Sequence, residues 1–476
     1  MHLCTMTICK IHRHFGLVAA ALAFLGSFCF FQFAYPYHLA RREQLNLFLF
    51  DGDYIVETYR GTGWLARFAA DFLEQFFHLP VIGPLIVALL LTGIGFVAFR
   101  ICRHFLGRWP SLAVAALVFA WSFLRETGNI YQTRYTVVVL GFLSLVLLAL
   151  QFRKAWLKAV AAAVFLAAGI WALGSPYHPD YGMAWGYPKL KYERLIGMDT
   201  EVARENWDKV LKLADKDLYM VEASYCANLA HAMKGNLGET MLNYSQDHHR
   251  TLLFPVATER AMFANALAGE AWFQLGDMTV AEQSAITALQ ASPKHTGVRN
   301  LVRLARVNLV TGEDAAAKKY LDILSKTLCY GAWARRMMPG CQDEATRAQL
   351  SEARGRLIRT DFVHHSDYPP DILHALLEAD PTNTAVRDYL LCYALMCYDL
   401  DGFMEEYVKE LPRGHLYHEA VLIWLSQNGR LTPEEVTRYG VELSLVDRMG
   451  RFGQNPGAFK NTYWLYYLKA MQEAQQ

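Results

Sequence analysis

Five stretches of this chain contain no Lys, Arg, Asp or Glu: residues 15–40, 75–99, 109–124, 135–152 and 159–179. A helix needs roughly 20 mainly apolar residues to cross about 30 Å of hydrocarbon. Four of the five stretches reach or approach that length. The third is short, and has to borrow Gly107 or the residues after Arg125 to span fully. Unpaired backbone polar groups are too costly in lipid, so these segments are expected to be transmembrane helices. The first of them, with Lys10 and Arg13 ahead of it, fits the start of a secretory signal. No small-x-small cleavage site follows, however, and four more apolar stretches do, so a retained anchor is predicted. Phe28 ahead of Cys29 argues against a lipoprotein signal, which needs a small residue there.

Hydrophobic residues make up 53% of the chain and charged residues 19%, and the apolar excess lies before about residue 175. The organisation read from this is a membrane domain over 1–178, a linker over 179–197 and a soluble domain over 198–476. The net charge of +1 gives no electrostatic case for nucleic acid. Five of the nine cysteines fall in the soluble part, an odd number in a large domain, so a disulfide scaffold is not expected. Cys329 and Cys341 are left as a possible pair if that part lies in an oxidising compartment.

The flanks of the apolar stretches differ in charge. One set carries Lys10, Arg13, Arg100, Arg103, Arg108, Arg153, Lys154 and Lys158 with no acid. The other mixes Arg41, Arg42, Arg60 and Arg67 with Glu43, Asp51, Asp53, Glu57, Asp71 and Glu74, then adds Arg125, Glu126 and Arg134. Basic flanks stay in the cytoplasm. The prediction is an inner-membrane protein with a cytoplasmic N-terminus and an extracytoplasmic C-terminal domain. Arg125, Glu126 and Arg134, at span edges, read as interfacial.

The first outer loop contains Trp64, Phe68, Phe72 and Phe76 at intervals of four, with Leu65, Ala69 and Leu73 on the same side and Arg67, Asp71 and Glu74 opposite. That spacing predicts an amphipathic helix near 64–77. It either lies in the membrane surface or packs on neighbouring spans.

From about Met198 the apolar spacing is helical throughout, and no alternating strand pattern is present. In the clearest unit, Gly269 and Trp272 share one helix face, Gly276-Asp277 makes a turn, Ala281, Ala285 and Ala288 line a second helix, and Pro293 ends it. Two antiparallel helices approach closely only where the facing residues are small, and glycine at the turn takes the left-handed conformation that closes the first helix. This pattern resembles the tetratricopeptide repeat, departing from it at Ala285, where that family has a bulkier residue. A second unit has Ala305, Gly312-Glu313, Ala317 and Leu321. A weaker one has Gly235-Asn236 at the turn and Tyr244 in the second helix. The turn glycines are 41 and then 36 residues apart, whereas a regular array would repeat about every 34. Further helices are expected over 370–379, 384–398, 403–411, 416–427, 434–447 and 457–474. The fold class is therefore all-α: an N-terminal transmembrane helix bundle followed by an irregular α-solenoid of tetratricopeptide-like hairpins. As a whole the chain resembles a bacterial membrane family of unknown function, with a few spans ahead of an outer domain of that kind. The resemblance brings no assigned activity or site.

Candidate chemistry is sparse. Asp51 and Asp53, one residue apart in the first outer loop, have the arrangement of acids that hold a divalent ion or act on a lipid-linked sugar. Against this stands a simple solvated turn at Gly52. His248-His249 and His364-His365 with Asp367 are too isolated to predict a metal site. Cys392 and Cys397 diverge on a helix and read as apolar core. Tyr463, Trp464, Tyr466 and Tyr467 read as a cap on the last hairpins. No phosphate loop, nucleophile elbow or dinucleotide fingerprint occurs, and no cofactor is expected. The leading expectation is an interaction or scaffold module. Its outward helical groove binds a protein or peptide partner, and the lipid bilayer holds its spans. The alternative is a membrane-embedded transferase, glycosyltransferase-like, using Asp51 and Asp53. A transporter is disfavoured because the spans carry almost no ionisable residues.

Overall fold

The computed structural model describes residues 2–473 except 62, 129–132, 153, 174–187, 215–218, 259–261 and 293–294. Pro293 and residues 179–187 of the expected linker lie outside the described residues. Among the described residues the chain is all-helical, with no strand. It divides into two compact units. The first comprises 1–193 with 296–299 and 321–336, and the second comprises 194–295, 300–320 and 337–476. The first unit thus draws in two short segments from later in the chain. Residues 46–51 are not helical, so their peptide groups need partners. Val298 N donates to Asn46 O at 3.2 Å, and Phe50 N donates to Lys326 O at 2.8 Å.

The first unit holds α1 (His2–Cys29), α2 (Pro36–Leu45), α3 (Gly52–Thr58), α4 (Trp64–Glu74), α5 (Ile82–Cys102), α6 (Arg108–Glu126), α7 (Thr133–Ala149) and α8 (Ala155–Leu173). The five charge-free stretches supply α1, α5, α6, α7 and α8. Among the described residues, two runs are long and apolar enough to cross a membrane: Gly16–Ala34, where a π-helical turn extends α1, and Ile82–Cys102. Thr133–Ala149 is a shorter apolar helix. The third stretch gains length at both ends, reaching Arg108 and Glu126. α5 packs on α1, α6 and α7. Gly93 and Gly95 allow this, for a Cβ at Gly93 would lie 3.2 Å from Leu140 and one at Gly95 would lie 3.4 Å from Phe119. Phe31, Tyr35, Leu39, Phe77, Val87 and Leu91 form the unit's core. Leucines also face outward, among them Leu22, Leu89, Leu117 and Leu148.

The second unit runs through α9 (Leu190–Ala203), α10 (Trp207–Leu213), α11 (Val221–Met233), α12 (Leu237–Thr240), α13 (Met262–Leu275), α14 (Met278–Ala291), α15 (Val298–Thr311), α16 (Asp314–Ser325), α17 (Gly331–Met337), α18 (Glu344–Gly355), α19 (Pro369–Ala379), α20 (Thr384–Met396), α21 (Leu400–Tyr407), α22 (His415–Gln427), α23 (Pro433–Arg438), α24 (Leu443–Gln454) and α25 (Tyr463–Glu473). Some of α9 and α15–α17 falls in the first unit. α13 and α14 form the tightest hairpin. Gly276 closes α13 at φ +111°. A Cβ at Gly269 would meet Ser284 Cβ at 3.1 Å and Ala281 O at 3.4 Å. Trp272 is fully buried beside that contact. Asp277 caps α14 by accepting from Val280 N at 2.7 Å.

Three expectations change here. The weak unit after Gly235-Asn236 does not form a full hairpin, because α12 stops at Thr240 and Tyr244 is extended. The Tyr417 ring occupies the space beside Gly238, 2.6 Å from where a Cβ would stand, and α12 packs against α22 instead. The helix expected over 434–447 breaks into α23 and α24 at Gly440, which sits at φ +72°. The terminal segment begins with a 3₁₀ turn over Pro456–Ala458, and its helix starts at Tyr463. A strictly sequential stack would confine contacts to neighbouring hairpins, yet α11 also packs on α20, far along the chain.

Candidate functional sites

The second unit contains an open groove of about 420 Å³. Phe273, Met278, Leu357 and Leu376 give it apolar walls, and Gln274 and Asn383 line it with carboxamides. The Gln274 Nε2 donor is buried with no partner among the described residues, whereas Asn383 donates to Leu275 O at 3.2 Å and caps α20 through Val386 N. Arg356 and Asp380 add one charge of each sign, 3.6 Å apart. The groove owes its shape to the turn at Gly276 and to the Asp380–Asn383 connection between α19 and α20. Behind that turn, His364 Nδ1 bonds Asp277 Oδ2 at 2.6 Å. This bond holds the imidazole's pKa above its ordinary value.

The acid pair of the first loop is built differently from a turn. Asp51 is the N-cap of α3, accepting from Tyr54 N at 3.0 Å, and its other oxygen takes a 2.6 Å bond from Lys326 Nζ. The Lys326 bond holds the Asp51 carboxyl below its ordinary pKa. Asp53 is exposed on the first turn of the helix. Cys329 and Cys341 are free thiols. Cys329 donates to Gln75 O, and burial pushes its pKa up to about 11. His248 Nδ1 lies 3.1 Å from Tyr398 OH, and His249 Nδ1 lies 3.8 Å from Cys397 Sγ. Among the described residues no group of three or more His, Cys, Asp or Glu side chains is placed to hold a metal. Cys392 is buried beside Tyr417, while Cys397 is exposed. In α25, Tyr463 OH donates to Leu395 O and Trp464 Nε1 donates to Glu419 O, which closes α25 onto α20 and α22.

Sequence reasoning missed a buried polar layer in the first unit. Glu126, read as interfacial, is 1% exposed and forms a salt bridge with Arg42. Arg42 also donates to Glu126 O at 2.7 Å and to Thr133 Oγ1 at 3.3 Å, and touches His38 Nε2 at 3.0 Å. Thr136 Oγ1 donates to the second Glu126 oxygen at 2.6 Å. Arg125 is buried as well, with its guanidinium over Trp121. Glu193 accepts from Tyr37 N at 2.6 Å and from His38 N at 3.0 Å, which caps α2, and burial pushes its pKa up to about 8. Tyr59 OH donates to buried Asp71 at 3.0 Å. Charges taken out of water cost several kcal/mol each unless paired and hydrogen-bonded. The layer meets that condition through Arg42, Glu126 and two threonines. The only local signal was a concentration of charge between residues 38 and 43 at the end of an apolar stretch.

No curated protein and no solved structure matches the chain. A family model described as "Family of unknown function (DUF6057)" matches residues 10–179 and 177–470. The chain belongs to that family of unknown function.

Proposed function

We propose that the protein is a membrane-anchored interaction module. The five apolar helices hold it in the inner membrane with the N-terminus in the cytoplasm. The hairpins of its second unit, an irregular tetratricopeptide-like solenoid, take a peptide segment of a partner protein outside. The open groove beside the Gly276 turn carries this reading. Its apolar walls suit side chains of an extended segment, and the unpartnered Gln274 donor suits a backbone carbonyl, since a buried donor left unmade costs about 1–3 kcal/mol. The charge asymmetry of the flanks supports the orientation.

A photoreactive residue in place of Thr382, on the groove rim, tests this in native membranes. Reproducible adducts with one protein, absent from a label at exposed Ser351, are expected. Equal or no labelling at the two positions would remove the groove's role. A transferase acting through Asp51 and Asp53 has less support, because Asp51 already caps α3 and pairs with Lys326. Replacing both aspartates by Asn separates the readings: loss of function with partner capture intact would favour the enzyme.

A further inference from the structure

The α4 helix does not sit as an amphipathic helix on a protein in water would, because an acid of its polar side is buried while the first residues of its apolar side are exposed. Its polar side is turned inward: Asp71 is buried and bonded to Tyr59, and Gln75 is buried just beyond the helix. Half-buried Asn46 donates from Nδ2 to Glu74 Oε2 at 3.3 Å. The start of its apolar side is exposed, Leu65 at 62% and Trp64 at 48%, whereas Phe68, Phe72, Leu73 and Phe76 further along are half-buried. Phe50, whose ring centroid lies 6.3 Å from that of Phe72, and Val56 on α3 are also exposed. Phe68 and Phe72 pack on Phe48 beneath this surface and stiffen it.

We infer that the outward face of α4, with Trp64, Leu65, Phe50 and Val56, is a lipid-contacting surface seated at the acyl–headgroup boundary of the bilayer. This rests on the membrane reading above. Three observations favour lipid over water or a protein partner. Burying an acid while exposing leucine and tryptophan is costly in water, where about 25 cal/mol is lost for each Å² of apolar surface left wet. In lipid that exposed apolar surface carries no such cost. The patch continues along the chain: after one 3₁₀ turn over Gln75–His78 comes the Ile82–Cys102 helix, itself apolar enough to span, with Leu85 and Leu89 facing outward. Finally, tryptophan with its amphipathic ring favours that boundary over either phase. Asp53 and Glu57 are exposed on α3 alongside Arg60, so the attraction is apolar, not one to anionic headgroups.

The test uses the full chain reconstituted in phosphatidylcholine–phosphatidylglycerol vesicles, with a benzophenone side chain at position 64, 65 or 351. An interfacial helix buries its apolar face about 5–10 Å deep, so labels at 64 and 65 are expected to give at least about tenfold more phospholipid adduct than the label at 351. Adducts at 64 and 65 no more frequent than at 351, or adducts to protein alone, overturn the inference. Carbonate washing of the same vesicles separates the two readings. A chain that resists extraction but gives no lipid adduct refutes only the seating of α4. A chain that is extracted refutes the membrane reading and the seating together.

Discussion

Replacing Arg303 by Met measures how far the second unit depends on one buried ion pair. Arg303 lies on α15 and Glu270 on α13, and their side chains are 5% and 3% exposed. Arg303 Nη2 donates to Glu270 Oε2, and the guanidinium lies over the Phe273 ring, 3.8 Å from its centroid. Its Nε and Nη1 are buried with no acceptor among the described residues. Removing the cation leaves the Glu270 carboxylate buried without its guanidinium, which costs about 3–5 kcal/mol. Removing both charges, with Glu270→Leu added, is a different perturbation. Two of the guanidinium's donors gain nothing from folding, so the pair recovers its desolvation poorly. An apolar pair of similar volume is then expected to be neutral or stabilising, by up to about 4 kcal/mol. Urea-dependent proteolysis of the detergent-solubilised chain reads both variants. The single variant should unfold at markedly lower urea, and the double variant at parental urea or higher. A single variant as stable as the parent would mean that the guanidinium is not held in the core.

Three further outcomes follow from the geometry. Glu419 is buried, and desolvation pushes its pKa up to about 7 despite the bond from Tyr463 N. A group whose folded pKa is raised loses its stabilising contribution as pH rises from about 4.5 to 7, so Glu419→Gln should raise stability at pH 8 by up to about 3 kcal/mol and leave pH 4.5 unchanged, as followed by thermal melts. Gly269→Leu should cost about 1–3 kcal/mol or more by forcing α13 away from α14, whereas Gly269→Ala trades a smaller clash at Ser284 against better helix propensity; paired urea titrations distinguish the two. Iodoacetamide at pH 8 should modify exposed Cys341 well before half-buried Cys329, and mass spectrometry showing both protected until reduction would mean they are bridged.

Helical hairpins were legible where their cause is local. Close approach at Gly269 needs small residues there and at Ala281 and Ala285, and the turn at Gly276 needs glycine, so spacing alone predicts α13 and α14. The same spacing after Gly235 predicted a hairpin that Tyr417, far along the chain, prevents. The buried polar layer was illegible for the related reason that Arg42 meets Glu126 across 84 residues and His38 meets Glu193 across 155. Periodicity also located α4 but not its facing: a repeat of four finds an apolar face without saying whether water or lipid lies outside it. Of the candidate sites, Asp51 and Asp53 were visible as a motif, but the cap and the lysine that occupy Asp51 were not. The groove, assembled from α13, α18, α19 and α20, had no sequence signature beyond the glycine turn.

A fluorescent protein that matures only in the cytoplasm, fused after Gln476, tests the anchoring and the orientation of the chain at once. The full-length fusion, detected by antibody in the membrane fraction, is expected to stay dark. A bright full-length fusion would place the second unit in the cytoplasm and overturn the predicted orientation.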